Sequence, residues 1–215
     1  MTDRTGKRKS RMEISRRRVP KLGCYFIATD TKETEYNYLV GLRDSIPDEL
    51  QGRLVIKVIK TRTAGLVEKV LEMASMQPQY GEPWIVFDKD LVADFDSIIG
   101  SAEEHGVYAG WSNPCIEIWF HAYFGKMPHC IDSTTCCKRF SETYRRAAAR
   151  EYKKSDAAIY SALRHFGNEE KAISVAAQRM KTMKENGVNL PSKMEGASTL
   201  YLLVDEIRGK TERGT

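Results

Sequence analysis

Pro83-Trp84-Ile85-Val86-Phe87-Asp88-Lys89-Asp90 is the stretch whose reading decides the fold. A short apolar run stops abruptly at two carboxylates with a single lysine between them, which predicts a buried strand delivering Asp88 and Asp90 to its C-terminal tip. At a strand end the chain turns, so both acids can converge on one cation. A plainer arrangement suits the same residues: Asp88 caps the following helix, and Lys89 and Asp90 are solvated loop charges. The sequence on either side decides between them.

Upstream, Gly23-Cys24-Tyr25-Phe26-Ile27-Ala28-Thr29 is another apolar run of strand length, and it ends at Asp30. Thr34 follows as a candidate N-cap, Tyr38, Leu39, Leu42 and Ile46 recur at helical spacing, and Pro47 ends the pattern. Leu54-Val55-Ile56-Lys57-Val58-Ile59 is a second strand, and Leu66, Val67, Val70, Leu71 and Met73 mark a second helix. After Asp90, Phe95, Ile98, Ile99 and Ala102 share one helical face. Val107-Tyr108-Ala109-Gly110-Trp111 predicts a fourth strand, with a helix from Ile116 after Pro114. Short apolar strands alternating with amphipathic helices indicate an α/β fold with a parallel sheet covered on both faces. Sites in such sheets form beyond the carboxyl ends of the strands. Asp30, Asp88, Asp90 and the turn Ser112-Asn113-Pro114 all fall at that edge, which makes the aspartates a candidate site.

The whole chain, 215 residues with 41% hydrophobic and 29% charged, is long enough for one sizeable core and reads as a soluble globular protein. No apolar run approaches the length that crosses a bilayer, and no apolar segment follows the charged N-terminus, so the expected compartment is the cytoplasm. Cys24, Cys115, Cys130, Cys136 and Cys137 form no regular disulfide framework and suit reduced thiols. The net charge of +5 is concentrated in a basic arm that includes Arg16, Arg17 and Arg18. Such an arm is expected to be disordered alone; it either lies along phosphates, releasing counterions, or serves as a solubilising tail.

Beyond Gly125 the segment Met127 to Cys137 reads as irregular, and His129, Cys130, Cys136 and Cys137 could bind zinc, although their spacing matches no usual paired-ligand pattern. From Phe140 to Lys184 the pattern is mostly helical, broken at Gly167-Asn168. Arg145, Arg146, Lys153 and Lys154 cluster near its start, either as a solvated face or as phosphate contacts. Leu200 to Ile207 predicts a closing helix. The aromatic helix from Ile116 to Phe124 is either a docking surface or buried against the sheet.

Carboxylates without histidine neighbours are hard oxygen donors, suited to Mg2+ or Mn2+ rather than zinc. Asp88 and Asp90 would ligate such an ion, which neutralises charge on a phosphodiester. Asp30 would ligate a second ion or move a proton. His121 belongs to no nucleophilic triad, and Thr61 to Gly65 lacks the glycines and lysine of a phosphate-binding loop.

With an acid after the first strand, Asp-x-Asp after the third, and the run Ser112-Asn113-Pro114-Cys115-Ile116-Glu117-Ile118-Trp119, the sequence resembles the RloB-like family. That family is also represented by the AbiLii component of phage-abortive systems and belongs to the Toprim superfamily. The resemblance runs from Leu22 to Phe124, with Asn189-Leu190-Pro191-Ser192 fitting the family's C-terminal part more loosely. It implies a Toprim-like parallel four-stranded sheet flanked by helices, with a mainly helical C-terminal extension. In that division residues 1–20 are the arm, 21–126 the catalytic domain and 127–215 the extension.

The resemblance further implies a metal-dependent nuclease, a hydrolase of RNA or DNA with RNA favoured and tRNA among the candidates. It would work beside an ABC-type ATPase in abortive infection, an antiviral defence. Asp88 and Asp90 match the metal pair, while Asp30, Thr34 and Glu35 match the motif Glu-Gly-x-x-Thr-Glu, with aspartate for its first glutamate and Thr31 for its glycine. The shorter acid reaches less far toward a metal, and threonine does not adopt glycine's positive φ as cheaply. Glu35, Glu117 and Asn113 are supporting residues: Glu35, or Glu33, a substitute acid, Glu117 either an outer partner of the site or the partner of a basic residue in the core, Asn113 a turn former bonding the backbone before Pro114. The altered Asp30-Thr31 pair also suits a different class, a catalytically weak nucleic-acid-binding or partner-docking subunit that keeps the fold.

Overall fold

The computed structural model describes residues 20–30, 33–76, 81–90 and 92–214; Arg16, Arg17 and Arg18 lie outside them. Alternation along the two central strands sorts the core into two layers. β1 (Gly23–Thr29) sends Tyr25 and Ile27 into one apolar cluster and Cys24, Phe26 and Ala28 into the other. β3 (Gly81–Asp88) divides in the same way, Trp84 and Val86 against Ile85 and Phe87. Successive side chains of a strand point to opposite faces, so both strands are buried on both sides and need helices above and below.

The helices follow. α1 (Glu33–Asp44) covers the first face with Tyr38, Leu39 and Leu42. β2 (Leu54–Lys60) leads through a short 3-10 turn into α2 (Leu66–Ser75), which places Leu66 and Val70 on the second face. α3 (Phe95–Glu104) joins it there with Phe95, Ile99 and Ala102. β4 (Tyr108–Asn113) precedes α4 (Glu117–Ala122), whose six residues are all buried, so the aromatic helix is core. Trp119 and Phe120 are among the largest fully buried side chains.

Most of the remaining chain returns to the first face, while Met180, Met194 and Ala197 join the second. α5 (Ser133–Ala148), α6 (Ile159–Phe166) and α7 (Glu169–Glu185) lead to β5 (Ala197–Ser198) and α8 (Leu200–Gly214). Phe140, Ile159, Leu163, Ala172, Leu203 and Ile207 share one cluster with Tyr25, Ile27 and Trp84. The C-terminal segment is thus part of the sheet's own core.

The sheet order is β2-β1-β3-β4-β5, five strands where four were expected. The first four are mutually parallel, and β5 pairs antiparallel with β4 through Ser112↔Ser198 and Asn113↔Ala197. The chain leaves β1 toward β2 and later returns to its other side as β3. The crevice beyond β1 and β3 is therefore the switch point of the sheet.

Three local expectations change. Thr34 lies inside the first turn of α1 rather than capping it. The segment expected to be irregular up to Cys137 becomes helical at Ser133, because the Asp132 side chain accepts a 2.7 Å hydrogen bond from the amide of Thr135. The helix expected from Phe140 onward stops at Ala148; Ala149 takes a left-handed φ of 53° and accepts the role glycine usually fills. An irregular loop, 149–158, follows. Gly41 lets α1 approach α6, since a Cβ there would lie 2.5 Å from Cβ of Tyr160.

Candidate functional site

Asp88 has the strand parity of Trp84 and Val86, so its carboxylate belongs to the face that α1 and α4 cover. Past the strand end the pairing continues: the amide of Lys89 donates to Ser112 O at 2.8 Å and that of Asp90 to Pro114 O at 2.9 Å. The acid loop is thereby seated on the Ser-Asn-Pro turn. Asp90 adopts φ 26°, outside the usual allowed region but more accessible to aspartate than to most residues. Its Oδ1 accepts a hydrogen bond from the hydroxyl of Ser133, the first residue of α5.

α1 brings the third carboxylate. Glu35 is 1% exposed, and neither of its carboxylate oxygens has a hydrogen-bond partner among the described residues. A buried carboxylate with nothing to compensate it is costly, by several kcal/mol on the scale of effective ion desolvation. Asp88, Asp90 and Glu35 line one cavity of about 420 Å³, together with Glu33, Glu117 and Lys154.

The loop after α5 closes this cavity. Thr34 Oγ1 donates to Lys154 O at 3.1 Å and Asn37 Nδ2 to Ser155 O at 3.2 Å, so α1 holds the loop in place. Lys154 Nζ lies 3.6 Å from Glu117 Oε1, and Tyr152 donates to that same oxygen at 2.9 Å. Burial lowers the Lys154 pKa, but the Glu117 carboxylate together with the Cys137 and Cys115 sulfurs outweighs it, and the ammonium is held above its ordinary value. Burial and Glu117 together push the Tyr152 phenol up, so Tyr152 is a firm donor.

The other candidate residues are distributed around this centre. Asp30 follows β1 at the same sheet edge, where its Oδ2 accepts a 2.8 Å bond from Thr63; it is not among the residues lining the cavity. Asn113 does not bond its own turn. Its Nδ2 donates to Pro191 O at 3.0 Å and to Ser192 O at 3.1 Å, which ties the Asn-Leu-Pro-Ser run of the tail to the Ser-Asn-Pro run. Arg145 and Arg146, in the last turn of α5, and Lys153 are exposed. His121 is a core histidine, packed edge-on against Phe140, and burial lowers its pKa to about 4. His129 faces Glu195 at 3.3 Å, and among the described residues the group of possible metal ligands consists of Cys115, Glu117 and Cys137 instead.

Sequence reasoning passed over Ser133, Tyr152 and the contact of Thr34 with Lys154. Ser133 had a signal, the cap Asp132 just before it. The other two depend on a loop that no local pattern announces.

The sheet and this cavity define a class: an α/β protein with carboxylates gathered beyond the carboxyl edge of a mostly parallel sheet, under a helical C-terminal half. The chain belongs to the RloB-like protein family, whose model matches residues 25–207 and so takes in both the sheet and the helices that close the cavity. No curated protein and no solved structure matches it. Among the described residues no helix is long and apolar enough to cross a membrane.

Proposed function

We propose that the chain is a Mg2+- or Mn2+-dependent nuclease, with RNA favoured over DNA, acting in antiphage abortive infection in the cytoplasm under the control of an ABC-type ATPase. The observation that carries the chemistry is Glu35, whose two buried oxygens have no hydrogen-bond partner among the described residues and which lines one cavity with Asp88 and Asp90. An all-oxygen, anionic donor set suits a small hard cation and offers nothing to a soft one. Asp88, Asp90 and Glu35 are the residues that would hold it. Bound there, the ion would neutralise a phosphodiester and stabilise its leaving oxygen.

The chain's own residues do the rest. Lys154, anchored through its loop to Thr34, offers an ammonium to a phosphate entering the cavity. Arg145, Arg146 and Lys153 extend positive charge along the exposed surface, and Arg16, Arg17 and Arg18 add to it from the arm. Ser133 holds the Asp90 carboxylate in place. Asp30, bonded to Thr63, is assigned an outer position at the end of β1, where it takes a proton or a further ion.

The place of Asp30 outside the cavity lining also favours a second reading, a subunit that binds nucleic acid or a partner and cleaves weakly. One experiment separates the two. The purified protein is incubated with mixed cellular RNA and with plasmid DNA, in magnesium, manganese or chelator, beside the folded Asp88→Ala/Asp90→Ala variant. Metal-dependent cleavage lost in the variant supports the nuclease; nucleic-acid binding with every substrate uncleaved, in the presence of the partner, supports the second reading.

A further inference from the structure

Next to the all-oxygen set lies a different one. Cys115, in the turn after β4, Glu117, the first residue of α4, and Cys137, in α5, bring two sulfurs and a carboxylate oxygen within 4.8 Å of one another. Cys115 Sγ and Cys137 Sγ are 3.9 Å apart. Two thiolates bound to zinc at about 2.3 Å with tetrahedral angles stand about 3.8 Å apart, so the sulfurs already have the spacing of one edge of a zinc site. Cys115 and Glu117 are almost fully buried, and Cys137 is partly so.

The surroundings suit a cation of that kind. Tyr152 donates to Glu117 at 2.9 Å, the outer hydrogen bond that orients ligating carboxylates. Two thiolates and a carboxylate around a divalent ion leave one negative charge, and the Lys154 ammonium 3.6 Å from Glu117 neutralises it. Three protein ligands leave a fourth position, open on the cavity wall that Cys115 and Glu117 form. Thiolate donors select zinc over magnesium.

We propose that Cys115, Glu117 and Cys137 form a zinc site of the thiolate type, separate from the Asp88–Asp90–Glu35 centre. It joins the Ser-Asn-Pro turn to α5, two segments that both hold Asp90. The site stands on its own geometry and does not depend on the nuclease reading.

The full-length chain, reduced and stripped of metal, is titrated with Co2+ and then Zn2+ while the absorption spectrum is recorded. The expected result is one equivalent of cobalt giving a sulfur-to-cobalt charge-transfer band and tetrahedral d–d bands, both removed by zinc. Cys137→Ser, a change at a partly exposed position, abolishes the charge-transfer band with circular dichroism unchanged. Glu117→Gln weakens cobalt binding at least about tenfold, the loss that even an outer partner's removal produces. Asp88→Asn and Cys130→Ser keep the bands. Absence of the charge-transfer band in the wild type, or its survival in Cys137→Ser, overturns the site. If magnesium still binds through Asp88 in that case, the nuclease reading is untouched.

Discussion

Thr34 Oγ1 donates a 3.1 Å hydrogen bond to the carbonyl oxygen of Lys154, so the first turn of α1 holds the loop that carries the cavity's ammonium. Glu35, the next residue, supplies the buried carboxylate of the same cavity. Removing the hydroxyl therefore acts on the loop and leaves the acids in place. Thr34→Val is expected to cost about 0.5–1.5 kcal/mol of stability, the usual contribution of one such bond. It should weaken nucleic-acid binding at low salt, whereas Thr34→Ser keeps both. Denaturant melts and a salt series of binding constants measure the two effects; wild-type binding in Thr34→Val would show that the loop is not held by this bond.

Glu35 makes a prediction of opposite sign for the metal-free and metal-bound protein. Glu35→Gln keeps the shape and removes a buried charge that has no partner among the described residues. The metal-free variant should therefore be at least as stable as the wild type, by about 1–2 kcal/mol in its favour. Magnesium or manganese should raise the melting temperature of the wild type and leave the variant nearly unmoved, because a ligand stabilises only the state that binds it. Equal metal-induced shifts in both proteins would remove Glu35 from the donor set.

Gly41 sets the distance between α1 and α6. A Cβ at that position would meet the Tyr160 Cβ at 2.5 Å, and neither is a flexible end that swings aside. Gly41→Ala is expected to destabilise by about 1–3 kcal/mol, the cost of overpacking, despite alanine's better helix propensity. Thermal unfolding reads the sign directly; stabilisation would mean that the two helices separate at no cost.

The strands were legible because each is an apolar run long enough to be read against its turns, and Asp88 and Asp90 because they end one abruptly. β5 was not, since two residues, Ala197 and Ser198, carry no period at all. The loop at 149–158 was hidden for another reason. Its basic residues, Arg150, Lys153 and Lys154, are as compatible with a solvated helix face as with a loop, and the chain turns at Ala149 without the glycine that normally marks such an end. Contacts such as Thr34 with Lys154 and Asn113 with Pro191 join segments far apart in sequence, so they belong to tertiary structure and leave no local trace. Glu35 stood in the motif of the family, but only its burial, with both oxygens lacking partners among the described residues, singles it out among the acids of the cavity.

His121 gives the protein an acid limit set mainly by burial. It is 4% exposed, its Nε2 has no partner among the described residues, and burial lowers its pKa from the ordinary 6.5 to about 4. The unfolded chain takes up a proton near the ordinary value, while the folded one resists until the lower value. The stability tied to neutral His121 is thus fully present above the ordinary pKa and declines as the pH falls toward about 4. Its size is about 2–3 kcal/mol across that window. His121→Phe keeps a ring against Phe140 and removes the titration, so its stability should be flatter with pH over the same range even if its absolute value is lower. Parallel slopes for the two proteins in denaturant titrations across that range would assign the acid limit to other groups.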